Sequence, residues 1–73
     1  MLSPAARAYS NAPPTGWVLI SLAAEIFGYT EEAIRNKIKK GVWTRGIHWR
    51  KAPDNRIFIN VGAVERWIES ASV

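Results

Sequence analysis

The stretch that most restricts the fold is the run Gly28-Tyr29-Thr30-Glu31-Glu32-Ala33-Ile34-Arg35-Asn36-Lys37-Ile38-Lys39-Lys40-Gly41. Glycine takes the left-handed conformation cheaply and so tends to stop helices, and a threonine hydroxyl can accept a hydrogen bond from a free N–H of a first helical turn. The residues between the two glycines therefore predict one short helix over 30–40. Glu31 and Glu32 sit in its first turn and Lys39 and Lys40 in its last, as the helix dipole prefers. Only Ile34 and Ile38 are large and apolar, four residues apart on one face. The opposite stripe, Glu32, Arg35, Asn36 and Lys39, calls for either water or a charged partner.

On the N-terminal side, Trp17-Val18-Leu19-Ile20 is a short, partly β-branched apolar run that predicts a strand. Ser21 can cap a helix over 21–27 in which Leu22, Ala23, Ile26 and Phe27 share a face. Two short helices joined by a tight glycine-containing turn make a helix-turn-helix signature. On the C-terminal side, Gly46-Ile47-His48-Trp49-Arg50-Lys51 alternates apolar with polar, Ala52-Pro53-Asp54-Asn55 has turn chemistry, and Arg56-Ile57-Phe58-Ile59 is a second β-rich run. That pattern predicts a hairpin. Asn60 can cap a last helix with Val64, Trp67 and Ile68 on its inner face and Glu65, Arg66 and Glu69 pointing away. The expected fold class is α+β, a small winged helix-turn-helix, occupying 17–70 between a flexible tail over 1–16 and a frayed end over 71–73.

A chain of 73 residues forms one small domain with a thin core. Its four Trp are expected to carry much of that core, each ring burying about 150 to 250 Å². The chain has no cysteine, which excludes disulfides and zinc fingers. It has no long apolar run and no signal-peptide h-region, so a soluble, cytoplasmic protein without membrane partners is expected. There is no nucleophile–base pair, glycine-rich phosphate loop or cluster at metal-ligand spacing, so no enzyme activity, cofactor or metal is expected. His48 is the single histidine and is assigned no role.

Charge is unevenly spread. Residues 1–29 are neutral, residues 30–56 carry eight basic side chains against Glu31, Glu32 and Asp54, and residues 57–73 sum to −1. Such asymmetry suggests a polyanion, nucleic acid before membrane. Arginine can fork onto guanine, asparagine can pair with adenine, glutamate can accept from cytosine, and lysine can take phosphate. The candidate recognition-helix residues are therefore Thr30, Glu32, Arg35, Asn36 and Lys39. Arg50 and Lys51 precede the hairpin turn and Arg56 follows it, so three cations are expected to converge at one wing tip against a phosphate backbone or minor groove. The plainer readings are a solvated helix face with a Glu31–Arg35 ion pair and a Glu32–Asn36 contact, and edge-strand protection by charge.

TEEAIRNKIKKG, followed by VWTRGIHWRKAPDNRIFINVGAVERWIE, resembles the phage and prophage excisionases, recombination directionality factors with a MerR-like winged helix-turn-helix. The similarity covers residues 17–69 and rests on the order of parts: a capped basic helix, an aromatic after its glycine, a basic hairpin and a short apolar-striped helix. Prophage transcription regulators of the AlpA type share this plan. The excisionase resemblance implies a non-catalytic architectural protein that binds adjacent sites on double-stranded DNA, self-associates along it, bends it, and turns a tyrosine-family integrase toward excision. The family's groove-facing positions fall on Glu32, Arg35, Asn36 and Lys39, and its wing arginine on Arg56. Asn36 stands where the family is often basic, and Pro53-Asp54-Asn55 lacks the glycine many members use. From another class, a protein-interaction adaptor would use Trp43 or Tyr29 as exposed docking aromatics.

Overall fold

The computed structural model describes residues 16–71. The chain enters on β1, Trp17–Leu19, and passes directly into α1, Ile20–Phe27. Leu19 occupies the N-cap position and contributes no side-chain cap, so Ser21 lies inside the helix instead of capping it. The reason is energetic. Ile20 is buried, which stabilises by about 1.5–3 kcal/mol, whereas a serine cap contributes about 1 kcal/mol. Burial of Ile20 thus starts the helix one residue before the position a cap would choose.

Gly28 ends α1 with φ 75°, and after Tyr29 the hydroxyl of Thr30 accepts from the N–H of Ala33 at 3.0 Å, opening α2, Glu31–Lys39. Ile34 is fully buried and Ile38 packs half-buried against the core, as expected of the two apolar residues. The far end of α2 closes in a Schellman motif: the Val42 N–H donates to Lys37 O at 2.9 Å and the Gly41 N–H to Ile38 O at 3.1 Å, with Gly41 at φ 75°. This reversal drops Trp43 into the core, where it is 1% exposed.

The hairpin is shorter than its sequence pattern. β2 spans Trp49–Lys51 and β3 spans Ile57–Asn60, while Gly46-Ile47-His48 forms a turn. Gly46 has φ 88°, His48 N–H donates to Thr44 O at 2.8 Å, and Thr44 N–H donates to His48 Nδ1 at 2.9 Å. These reciprocal bonds fold the segment into a turn, although the His48 carbonyl still accepts from the Asn60 N–H of β3 at 2.9 Å. At the tip, Asn55 N–H donates to Ala52 O and Ala52 N–H to Arg56 O, both at 2.8 Å, and Asn55 takes φ 71°. The tip is thus a type I turn followed by a left-handed residue, with Asn55 filling the place of the missing glycine.

β3 is the central strand of a three-stranded antiparallel sheet in the order β1-β3-β2. Val18 and Trp49 flank the fully buried Ile59 in register. α3, Val61–Glu69, follows without a break, capped by Asn60 Oδ1, which accepts from the Ala63 N–H at 2.9 Å. Val61, Ala63 and Val64 are buried and Trp67 lies against Trp43, but Ile68 is 47% exposed. The expected inner face is therefore rotated: the turn carrying Trp67 reaches the core edge, and Ile68 falls past it. Gly16 O accepts from the Val61 N–H at 2.9 Å, so Gly16 belongs to the domain; the rest of the expected tail, 1–15, and residues 72–73 lie outside the described residues.

The chain is thus a small α+β domain of three helices and a three-stranded sheet, in which α1 and α2 form the helix-turn-helix and β2–β3 the wing. Trp43→Ala is expected to lower stability by about 3–5 kcal/mol, and Thr30→Ala by about 1 kcal/mol, both read as shifts of the urea unfolding midpoint at constant slope.

Candidate nucleic-acid interface

Because Ile34 and Ile38 fix the roll of α2, the stripe on its other side is set. Glu32, Arg35, Asn36 and Lys39 are all exposed and, with Glu31, line one shallow surface groove. Thr30, the remaining helix candidate, sits at the head of α2 with its hydroxyl oxygen engaged by Ala33 N–H, which leaves only the hydroxyl proton to offer outward. No ion pair joins Glu31 to Arg35 among the described residues. The Arg35 guanidinium is therefore available to a partner.

A second groove adjoins the first. Glu31 and Arg35 line both, and the second runs on past Ser21 to Asn55 and Arg56 at the hairpin tip. Asp54 positions Arg56 there: its carboxylate accepts from the Arg56 N–H at 3.0 Å and lies 3.8 Å from Nε, with both side chains well exposed. An exposed pair of this kind contributes little to stability. Its effect is to aim Arg56 toward the end of the groove where α2 begins.

The other two wing cations do not join it. Strand alternation and the register Arg50↔Phe58 put Arg50 on the outer face of the sheet, where its guanidinium lies over the Trp17 ring, 5.7 Å from the centroid. Lys51 borders the groove beside Arg50, but its register with Ile57 gives its side chain the opposite face of the strand. The expected convergence of three cations at one tip is therefore replaced by a division: Arg56 beside α2, Arg50 beside Trp17. Arg45 lies over the ring of Trp49 at 5.4 Å.

The aromatics also differ from one expectation. Trp43, which the adaptor reading requires to be exposed, is the centre of the core, with Tyr29 at 6.2 Å and Trp67 at 5.6 Å edge-on and His48 stacked at 6.4 Å. Tyr29 is half-buried and covered by the Lys37 ammonium, 4.5 Å from its ring centroid. Trp43 is therefore not free to dock a partner, whereas Tyr29 keeps part of its surface in a shallow groove with Trp67 and Ile68. Sequence reasoning missed Ser21 and Asn55, which line the groove only because the tertiary fold brings α1 to the wing, and it missed His48. No metal-binding group of three His, Cys, Asp or Glu is present among the described residues.

A family model described as "Putative excisionase (DUF1233)" matches residues 9–72. The chain belongs to this excisionase family. Membership in the excisionases associates the domain with phage excision and agrees with the family resemblance of its capped basic helix and hairpin. No curated protein and no solved structure matches the chain. No helix of the described residues is long and apolar enough to cross a membrane.

His48 supports the loop between α2 and the wing of this excisionase-family domain. Its Nδ1 must be unprotonated to accept from Thr44 N–H, and burial, with the Arg66 guanidinium adding to it, holds its pKa below the ordinary 6.5. The unfolded chain therefore takes up a proton before the folded one does. Stability is fully present above pH 6.5 and falls as the pH drops through the lower folded-state value. The urea midpoint is expected to decline as the pH falls below 6.5, the ordinary histidine value, where no other side-chain type ordinarily begins to titrate. In His48→Asn, whose Oδ1 can replace the Nδ1 acceptor, that decline should vanish.

Proposed function

We propose that this domain is a sequence-selective, non-catalytic DNA-binding protein that lays α2 in the major groove of attachment-site DNA and sets Arg56 against the adjoining backbone or minor groove. The observation that supports it best is the continuity of the two grooves, which carries one polar surface from Lys39 along α2 to Arg56. Arg35 and Asn36 have the donor geometry for purine edges, Glu32 can accept from cytosine N4, and Lys39 and Arg56 suit phosphate. Thr30 would take a phosphate oxygen through its hydroxyl proton at the helix entrance.

In this reading several copies occupy adjacent sites, associate along the DNA and bend it, and the bent complex directs a tyrosine-family integrase toward prophage excision. Bending is an energetic task and not a covalent one: the additional protein–DNA interactions that a bent duplex permits offset a deformation cost of about 1–6 kcal/mol. The protein would work in the cytoplasm of the bacterial host, associated with its nucleoid. Family membership over residues 9–72 favours an excision role over the AlpA-type regulator plan.

Affinity for duplex DNA should fall steeply with salt, with a log–log slope of about −0.9 per phosphate contacted; a flat response between low and physiological salt would contradict DNA binding. Arg35→Ala and Asn36→Ala should each cost about 1–3 kcal/mol on the cognate site and relax base preference, whereas Arg56→Ala should weaken all duplexes evenly. Equal losses on every sequence for all three variants would remove α2 from the reading role. In a reconstituted recombination reaction the protein should stimulate integrase-dependent excision. If it altered only promoter activity, it would be a transcription regulator.

A further inference from the structure

We propose that the outer face of the sheet, around Trp17 and Arg50, docks an acidic segment of a partner protein through an apolar anchor, at a site separate from the α2–Arg56 surface. The face is assembled by register. Leu19, Phe58 and Arg50 align across the three strands, and Trp17 stands opposite Asn60, so their side chains fall on the side of the sheet away from the buried Val18 and Ile59. There Trp17, Arg50, Lys51, Ala52, Pro53 and Phe58 line a solvent-open groove of about 260 Å³.

Trp17 is the most telling member. Trp43 is buried and Trp49 and Trp67 are packed against the core, yet Trp17 is 40% exposed. Tryptophan and arginine are the residues most enriched where binding energy concentrates at protein interfaces. Arg50 holds its guanidinium over the Trp17 ring, and an arginine stacked in this way still presents its in-plane N–H donors outward, in the fork that matches a carboxylate. Among the described residues neither Arg50 nor Lys51 is paired with a carboxylate. The groove thus has an apolar floor of Trp17, Pro53 and Phe58, with the uncompensated Arg50 guanidinium at its rim.

That combination fits a peptide better than a duplex. A DNA backbone supplies phosphates but nothing to cover an indole and a phenyl ring, and paired bases keep their faces stacked. A protein segment with Asp or Glu around one aromatic or aliphatic residue supplies both halves. The groove shares no lining residue with either groove of the α2–Arg56 surface, so the two partners can be held at once.

The test uses the full chain and a short blocked peptide of Asp and Glu around a single phenylalanine, with two control peptides: one with lysine for each acid, one with alanine for the phenylalanine. Binding is followed by peptide fluorescence anisotropy, and duplex affinity is measured on the same protein samples. The acidic aromatic peptide is expected to bind and both control peptides to bind much more weakly. Arg50→Glu, an exposed charge reversal that leaves the core intact, should weaken peptide binding at least about tenfold, and Trp17→Ala should do likewise, with duplex affinity unchanged in both. Equal binding of the control peptides, or insensitivity to both substitutions, would overturn the proposal. So would a loss of duplex affinity with peptide binding unaffected, which would give this face to the DNA. Because duplex affinity is read separately, failure of the peptide site is distinguishable from failure of DNA binding.

Discussion

The burial of Trp43 is the contact on which the rest of the domain depends. Its indole is met by Tyr29 from the turn of the helix-turn-helix, by His48 from the loop before the wing, and by Trp67 from α3, while its carbonyl accepts the Trp49 Nε1–H of β2 at 3.2 Å. One residue therefore ties together four separate segments of so small a chain. It can do so only because the Schellman closure at Gly41 turns the chain inward immediately after α2. The arrangement has a cost: the Trp43 Nε1–H is buried without an acceptor among the described residues, and leaving such a donor unmade typically costs about 1–3 kcal/mol. Packing of the ring, which is worth more, decides the outcome.

Two surfaces arise from this frame. With Ile34 beneath it, α2 presents Glu31, Glu32, Arg35, Asn36 and Lys39, and the turn at Asn55 brings Arg56 round to the same side. The alternation of β2 sends Arg50 the other way, onto Trp17. The basic middle third of the chain is therefore not one patch but two, with different chemistry: polar and hydrogen-bonding around α2, aromatic and cationic on the sheet. In the function proposed for this domain such a division is useful, since one face would remain on DNA while the other is engaged.

Much of this was legible in the sequence where the determining chemistry is local. Thr30, Gly41 and Asn60 act within a few residues of themselves, and each caps or ends its helix as its side chain dictates. The stripe on α2 was legible for the same reason, because the spacing of Ile34 and Ile38 fixes the opposite face. What was not legible depends on distant partners. Ser21 gives way to the burial of Ile20, and Ile68 loses its place to the geometry of Trp67. The sheet pattern at Gly46–His48 is overridden by a ring nitrogen pairing with a backbone N–H, which no periodicity reports. The groove that Arg35 and Arg56 share, and the separation of Arg56 from Arg50, exist only once the hairpin has a register.

The central claim is that α2 and the tip of the wing form one DNA-binding surface. It is tested most directly by titrating the isotope-labelled protein with an attachment-site duplex and mapping the amide and side-chain shifts by NMR. Perturbations should concentrate on 30–39 and 54–56 and spare the outward side of α3 at Glu65 and Glu69. Shifts confined to α3 or to the Trp17 face, with α2 unmoved, would contradict it.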